Sequence, residues 1–212
     1  MIFSHLHRAM TCSLLGLAAL LSAQEAVAGI YNSAAVADLR FMIEEEKLAG
    51  DVYRAFGSLY PTIKPFQNIP KSETTHFNAL VSQAQTAGID VSDLTTLAGG
   101  HYANAELQAL YSSLVLQGSS SSFAALTVGK NIELKDISDL TAAMAILPTN
   151  TSLYTVYGNL RNASNNHLNA FNTWLAVTPA PAVPEPETSA MLMAGLGLLV
   201  TLRRRTQRST AR

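Results

Sequence analysis

Glu73 and His76 stand three residues apart, and apolar Ile69 and Leu80 lie four residues before and after the pair. In a helix that spacing puts all four side chains on one face. A carboxylate and an imidazole on a core-facing stripe are costly to bury unless they are paired or hold a metal. The chain must therefore fold so that other elements bring partners to this face.

Three further stripes carry such partners. Leu39, Met42, Glu46, Ala49, Tyr53 and Phe56 follow alternating steps of three and four, which predicts a first helix over about 33–58 with Glu46 on its core face. Glu44, Glu45 and Lys47 fall off this stripe and are expected on a solvated face. Pro61, Pro65 and Pro70 predict a turn over 60–70, and the second helix is expected over about 70–87, begun by Ser72 or Pro70 and ended by Gly88. Residues 88–102 read as a loop containing a solvated His101, and 103–117 as a short helix stopped by Gly118. The Ser run from Ser119 to Ser122 suits a cap for the next long helix, over about 122–147, whose stripe is Leu126, Gly129, Glu133, Asp136, Leu140, Ala143 and Leu147. Pro148 closes it. A last helix over about 151–175 carries Leu153, Tyr157, Leu160, Ser164, His167, Phe171 and Trp174. No period-two strand pattern or hairpin turn signal interrupts this, so the expected class is all-α: a four-helix bundle with an extra short helix in the crossover.

The four seams together hold four carboxylates, Glu46, Glu73, Glu133 and Asp136, and two imidazoles, His76 and His167. That is the usual ligand set of a two-metal carboxylate site inside a four-helix bundle. Oxygen and nitrogen donors without thiolates suit two ions of iron or manganese rather than structural zinc or an iron–sulfur cluster. Four negative charges also offset two divalent cations, and without ions the carboxylates would raise one another's pKa. Each residue alone has a plainer reading: Glu46 as surface, Glu73 with His76 as a helix-surface pair, Glu133 and Asp136 as a charged face, His167 as a hydrogen-bonded core histidine. Joint placement on apolar stripes favours the metal. Tyr53 and Tyr157 are expected to pack with satisfied hydroxyls, with a supporting role at the metal open to Tyr53.

The two ends of the 212-residue chain are of a different kind. A weakly basic start, the apolar run 13–22 and the small residues Ala26-Val27-Ala28 predict a secretory signal peptide over 1–28. That run is too short to span a bilayer. The single cysteine, Cys12, lies in this segment, so the mature chain has neither disulfide nor thiol chemistry. Residues 29–178 form the expected globular domain, mildly acidic and without a basic patch, which argues against nucleic acid. A Pro-rich linker follows over 179–187, and 188–212 carry an apolar run from Ala190 to Leu202 and then Arg203-Arg204-Arg205. Val183-Pro184-Glu185-Pro186, the apolar helix and the Arg cluster resemble the PEP-CTERM sorting signal of Gram-negative bacteria. The resemblance implies an exosortase-type processing enzyme as partner, transient membrane insertion through the C-terminal helix, and delivery to the periplasm, outer envelope or extracellular matrix. A plain C-terminal anchor is the simpler alternative, and either places the domain outside the cytoplasm.

The segments EEEKLAGDVY (44–53), FQNIPKSETTHFNAL (66–80), GKNIELKDISDL (129–140) and ASNNHLNAFN (163–172) resemble the DUF2202 family and, more broadly, the ferritin-like superfamily. The resemblance implies a ferritin-like bundle. It assigns Glu46 as a first-helix ligand with Tyr53 close behind, Glu73 and His76 as bridging carboxylate and terminal imidazole, and Glu133 and His167 as ligands from the other pair. The family's fourth-helix Glu-x2-His departs here to Ser164-x2-His167, and Asp136 is expected to supply the missing carboxylate. The function implied is an exported di-iron or di-manganese protein acting in oxidoreduction or in peroxide or metal handling. No Cys-based rubredoxin domain is present to feed electrons, so a rubrerythrin-type peroxidase would need an external donor, which weighs against a multi-turnover redox enzyme. The oligomeric state is open, a homodimer included. The alternative is a structural or adhesive module of an exopolysaccharide-associated matrix without redox activity.

Overall fold

The computed structural model describes residues 31–181. The expected signal peptide, the PEP motif and the C-terminal apolar run with its Arg cluster lie outside the described residues. Within them the chain is all-helical, with six helices and no strand: α1 (Ser33–Leu59), α2 (Lys64–Thr86), α3 (Ser92–Thr95), α4 (Ala105–Gly118), α5 (Ser122–Ala145) and α6 (Ser152–Val177). Among the described residues no helix is long and apolar enough to cross a membrane.

Local chemistry sets most of the ends. Asn32, Asn104, Ser121 and Thr151 each accept a backbone N–H from the first turn of α1, α4, α5 and α6. Gly88 takes a positive φ of 68° just past α2, where Ile89 N–H returns to the Ala84 carbonyl. The start of α2 differs from expectation. It begins at Lys64 with Pro65 in its first turn, where a missing N–H costs nothing, and runs straight through Pro70. Pro70 deprives the Phe66 carbonyl of its helical donor. That carbonyl faces Gly57 of α1 so closely that an added Cβ would lie 2.8 Å from it. Glycine there lets the two helices close over the proline.

The long helices pack as a bundle. α1 lies on α2, α5 lies on α6, and the pairs meet through α2–α6 and α1–α5, with α4 outside against α1 and α5. The buried apolar residues fall into two clusters. One holds Leu39, Met42, Leu80, Ala84, Leu140, Leu153 and Tyr157. The other holds Ala49, Tyr53, Phe56, Phe66, Leu126 and Phe171. On every long helix the polar residues of the seam lie between the two clusters in sequence, so Glu46, Glu73, His76, Glu133, Asp136, Ser164 and His167 form a buried belt across the bundle.

The charged residues of α1 are not the solvated face expected of them. Glu44 and Glu45 are buried and Lys47 half-buried. Arg40 reaches the Asp90 carbonyl and Asp93, Glu44 accepts the backbone N–H groups of Ala103 and Asn104, Lys47 donates to the Ala98 carbonyl, and Asp51 accepts from Gly100 N–H. Steps of four, three and four residues make this a second stripe, which fastens the crossover between α2 and α4 along α1. Glu45 lies instead toward α5, where burial and then Asp139 and Asp136 push its carboxyl up to about 9.

Candidate metal centre

Every carboxylate and imidazole expected in the seam is buried. α1 brings Glu46, α2 brings Glu73 and His76 one turn apart, α5 brings Glu133 and Asp136, and α6 brings His167 with Ser164 one turn before it. Glu73 is central. Its Oε2 lies 2.9 Å from His76 Nδ1 and its Oε1 lies 2.9 Å from His167 Nδ1. Glu46 Oε2 is 3.2 Å from His76 Nδ1, and Glu133 Oε2 is 3.5 Å from His167 Nδ1. Two overlapping triads result, Glu46–Glu73–His76 and Glu73–Glu133–His167, each with donor atoms within 4.8 Å of one another.

The surroundings hold these groups in place. Tyr53 donates to Glu133 Oε1 at 2.7 Å, and its ring packs on Phe66 and Phe171. Ser164 Oγ lies within hydrogen-bond reach of both Asp136 Oδ2 and the Leu160 carbonyl, and Asp136 is buried beside the triads without belonging to either. Ser72 was not expected here. Its hydroxyl lies 3.3 Å from His76 Nε2, on the side of the ring away from the carboxylates. Its four-residue spacing from His76 was the available signal. Tyr157 departs from expectation, since its buried hydroxyl has no partner among the described residues.

The electrostatics are those of a crowded acidic site. Burial, then Asp136 and Glu73, push the Glu46 carboxyl well above the usual range. Burial, only partly relieved by the Ser164 hydroxyl, raises Asp136 to about 8. Burial also acts to raise Glu73, but contact with His167 and His76 outweighs it and holds the carboxyl down at about 2. Burial acts to lower His167, yet Glu133 and Glu73 carry the imidazole up to about 10.

These residues fit a metal. Glu46 Oε1 is a buried atom without a hydrogen bond among the described residues, while Glu73 Oε1 and His167 Nδ1, also buried, have only each other at 2.9 Å and Glu133 Oε2 at 3.5 Å from the imidazole. Buried polar groups are ordinarily satisfied. Donors bound at about 2.1 Å to one ion and at right angles stand about 3 Å apart. The contacts around Glu73 and both histidines span 2.9–3.5 Å.

Comparison with known proteins gives the chain its relatives. Residues 182–205 match the PEP-CTERM protein-sorting motif, which implies export and recognition by an exosortase in Gram-negative bacteria. The uncharacterized protein MJ0754 of Methanocaldococcus jannaschii is 36% identical over 130 residues, 61% of this chain and 69% of that protein. The crystal structure of hypothetical protein MJ0754 superposes with a TM-score of 0.65 at 32% identity, covering 77% of this chain and 94% of the other. Residues 36–178, which contain all six seam residues, match the uncharacterized protein domain DUF2202, and the chain belongs to that family.

Proposed function

We propose that the belt is a two-metal site of the ferritin-like kind and that the chain is an exported iron or manganese protein acting in redox or peroxide chemistry at the cell envelope. The observation that carries this is the position of Glu73, with one carboxylate oxygen at each histidine. A carboxylate so placed is suited to bridge two ions, with Glu46 and His76 completing one triad and Glu133 and His167 the other. Asp136, directed by Ser164, is the fourth carboxylate, in place of an acid on α6. Four carboxylates then balance two divalent ions.

Bound iron or manganese would supply one-electron chemistry toward dioxygen or peroxide. The protein's part is to bind and orient. Tyr53 fixes the Glu133 carboxylate, Ser72 sets the His76 ring, and the two apolar clusters keep bulk water from both ends of the belt.

The test is elemental analysis of protein purified without chelator and loaded anaerobically with Fe(II) or Mn(II). Near two ions per chain, with a spectral change on adding oxygen or peroxide, supports the reading. No tight metal would overturn it and leave the matrix-module alternative in front.

A further inference from the structure

A cavity of about 380 Å³ lies between α1, α2 and the crossover. That volume is in the range that holds small ligands. Its inner end is formed by Glu46 and Glu73, both buried. Phe77, Leu94 and Leu97 supply an apolar wall. Arg54, its side chain 49% exposed, stands at the mouth beside exposed Thr74.

The mouth is cationic. Lys47 and Arg54 share one carboxylate, Asp51, at 2.7 Å each, so the three carry one net positive charge. Lys47 spends a further donor on the Ala98 carbonyl. Arg54 uses Nη2 toward Asp51 and makes a long 3.4 Å contact from Nη1 to Thr74, which leaves donors of its five uncommitted. Its guanidinium folds back over Gly50, where an added Cβ would lie 3.2 Å from both Arg54 Nη2 and Glu73 Cβ. The missing side chain at Gly50 therefore leaves the room on α1 that the Arg54 guanidinium and Glu73 Cβ both border.

The geometry points to this cavity as a binding site for a small organic anion. Arg54 holds its carboxylate at the mouth, the body lies along Phe77, Leu94 and Leu97, and its far end reaches Glu46 and Glu73. The inference rests on the proposed metal site for what happens at the far end, but binding at the mouth does not need the metal.

The test is calorimetric titration of the full chain, metal-free and manganese-loaded, with benzoate and with benzyl alcohol. Benzoate is expected to bind about tenfold more tightly than the uncharged alcohol in both forms, because one guanidinium–carboxylate contact distinguishes them. Arg54→Gln should erase the preference. Gly99→Leu, which adds a side chain from the crossover into the cavity, and Thr74→Trp, which fills it from α2, should each abolish binding of both. Benzoate binding no better than the alcohol, a preference that survives Arg54→Gln, or undiminished binding in both filling variants would overturn the inference. Metal content of the same samples decides the metal reading separately.

Discussion

The rings of His76 and His167 stack 5.6 Å apart, their planes 23° from parallel, although they come from helices in different pairs of the bundle. Each Nδ1 lies 2.9 Å from a different oxygen of Glu73, and the two triads share that residue and differ in every other. Their loss on mutation should differ accordingly. Glu73→Ala is expected to take metal content from two ions toward none. Glu46→Ala or Glu133→Ala should leave about one. Elemental analysis after identical loading reads the difference, and an equal loss in all three variants would contradict a shared carboxylate.

Loading should release protons. In the metal-free protein Asp136 titrates at about 8 and His167 at about 10, so both are largely protonated at neutral pH. A ligand must be deprotonated to bind an ion. Adding Mn(II) to weakly buffered metal-free protein at pH 7 should acidify the solution, less so at pH 9. Affinity should fall steeply as pH drops below 7. Loading without proton release would place Asp136 and His167 outside the coordination.

Tyr53→Phe removes a hydroxyl and little else. The ring keeps its contacts with Phe66 and Phe171, while Glu133 loses a donor at 2.7 Å. The expected cost is about 1 kcal/mol in stability by urea unfolding. Metal affinity should fall by about 10- to 100-fold, as when a hydrogen bond to a ligand is removed.

Asp51 offers a test away from the metal. Burial acts to raise its carboxyl, but Gly100 N–H, Lys47, Arg54 and Tyr102 together lower it below its ordinary 3.8. A carboxyl depressed in the folded state contributes stability above its unfolded pKa and loses it as pH falls through the folded one. The native protein should therefore weaken below about pH 4 at this residue. Asp51→Asn should cost about 2–4 kcal/mol at pH 7, since it leaves Lys47 and Arg54 without their carboxylate. The gap between variant and native protein in urea unfolding should narrow toward pH 3.

How much of this the sequence carried depends on the range of the interaction. The burial of Glu46, Glu73, His76, Glu133, Asp136 and His167 was legible because helical spacing sets them among apolar neighbours, a local property of each segment. The burial of Glu44 and the Lys47–Asp51–Arg54 network was not, because the groups that cover them lie about fifty residues away in the crossover. The regular spacing of Arg40, Glu44, Lys47 and Asp51 was visible, but a charged stripe reads as solvated until something is known to lie on it. Pro70 misplaced the start of α2 for a related reason: a proline ends an isolated helix, and here the absence of a side chain at Gly57 lets the bundle absorb it.

The belt also governs how the domain comes apart. It leaves the packed hydrocarbon in two blocks, and each long helix passes through both. Metal-free, the waist between them is a layer of crowded acids that neither block stabilises. Bound ions would join the blocks as a rivet joins two plates. Stripped of metal, the protein should open first at its middle rather than fray from its ends, with hydrogen exchange fastest at the amides around Glu73 and Glu133.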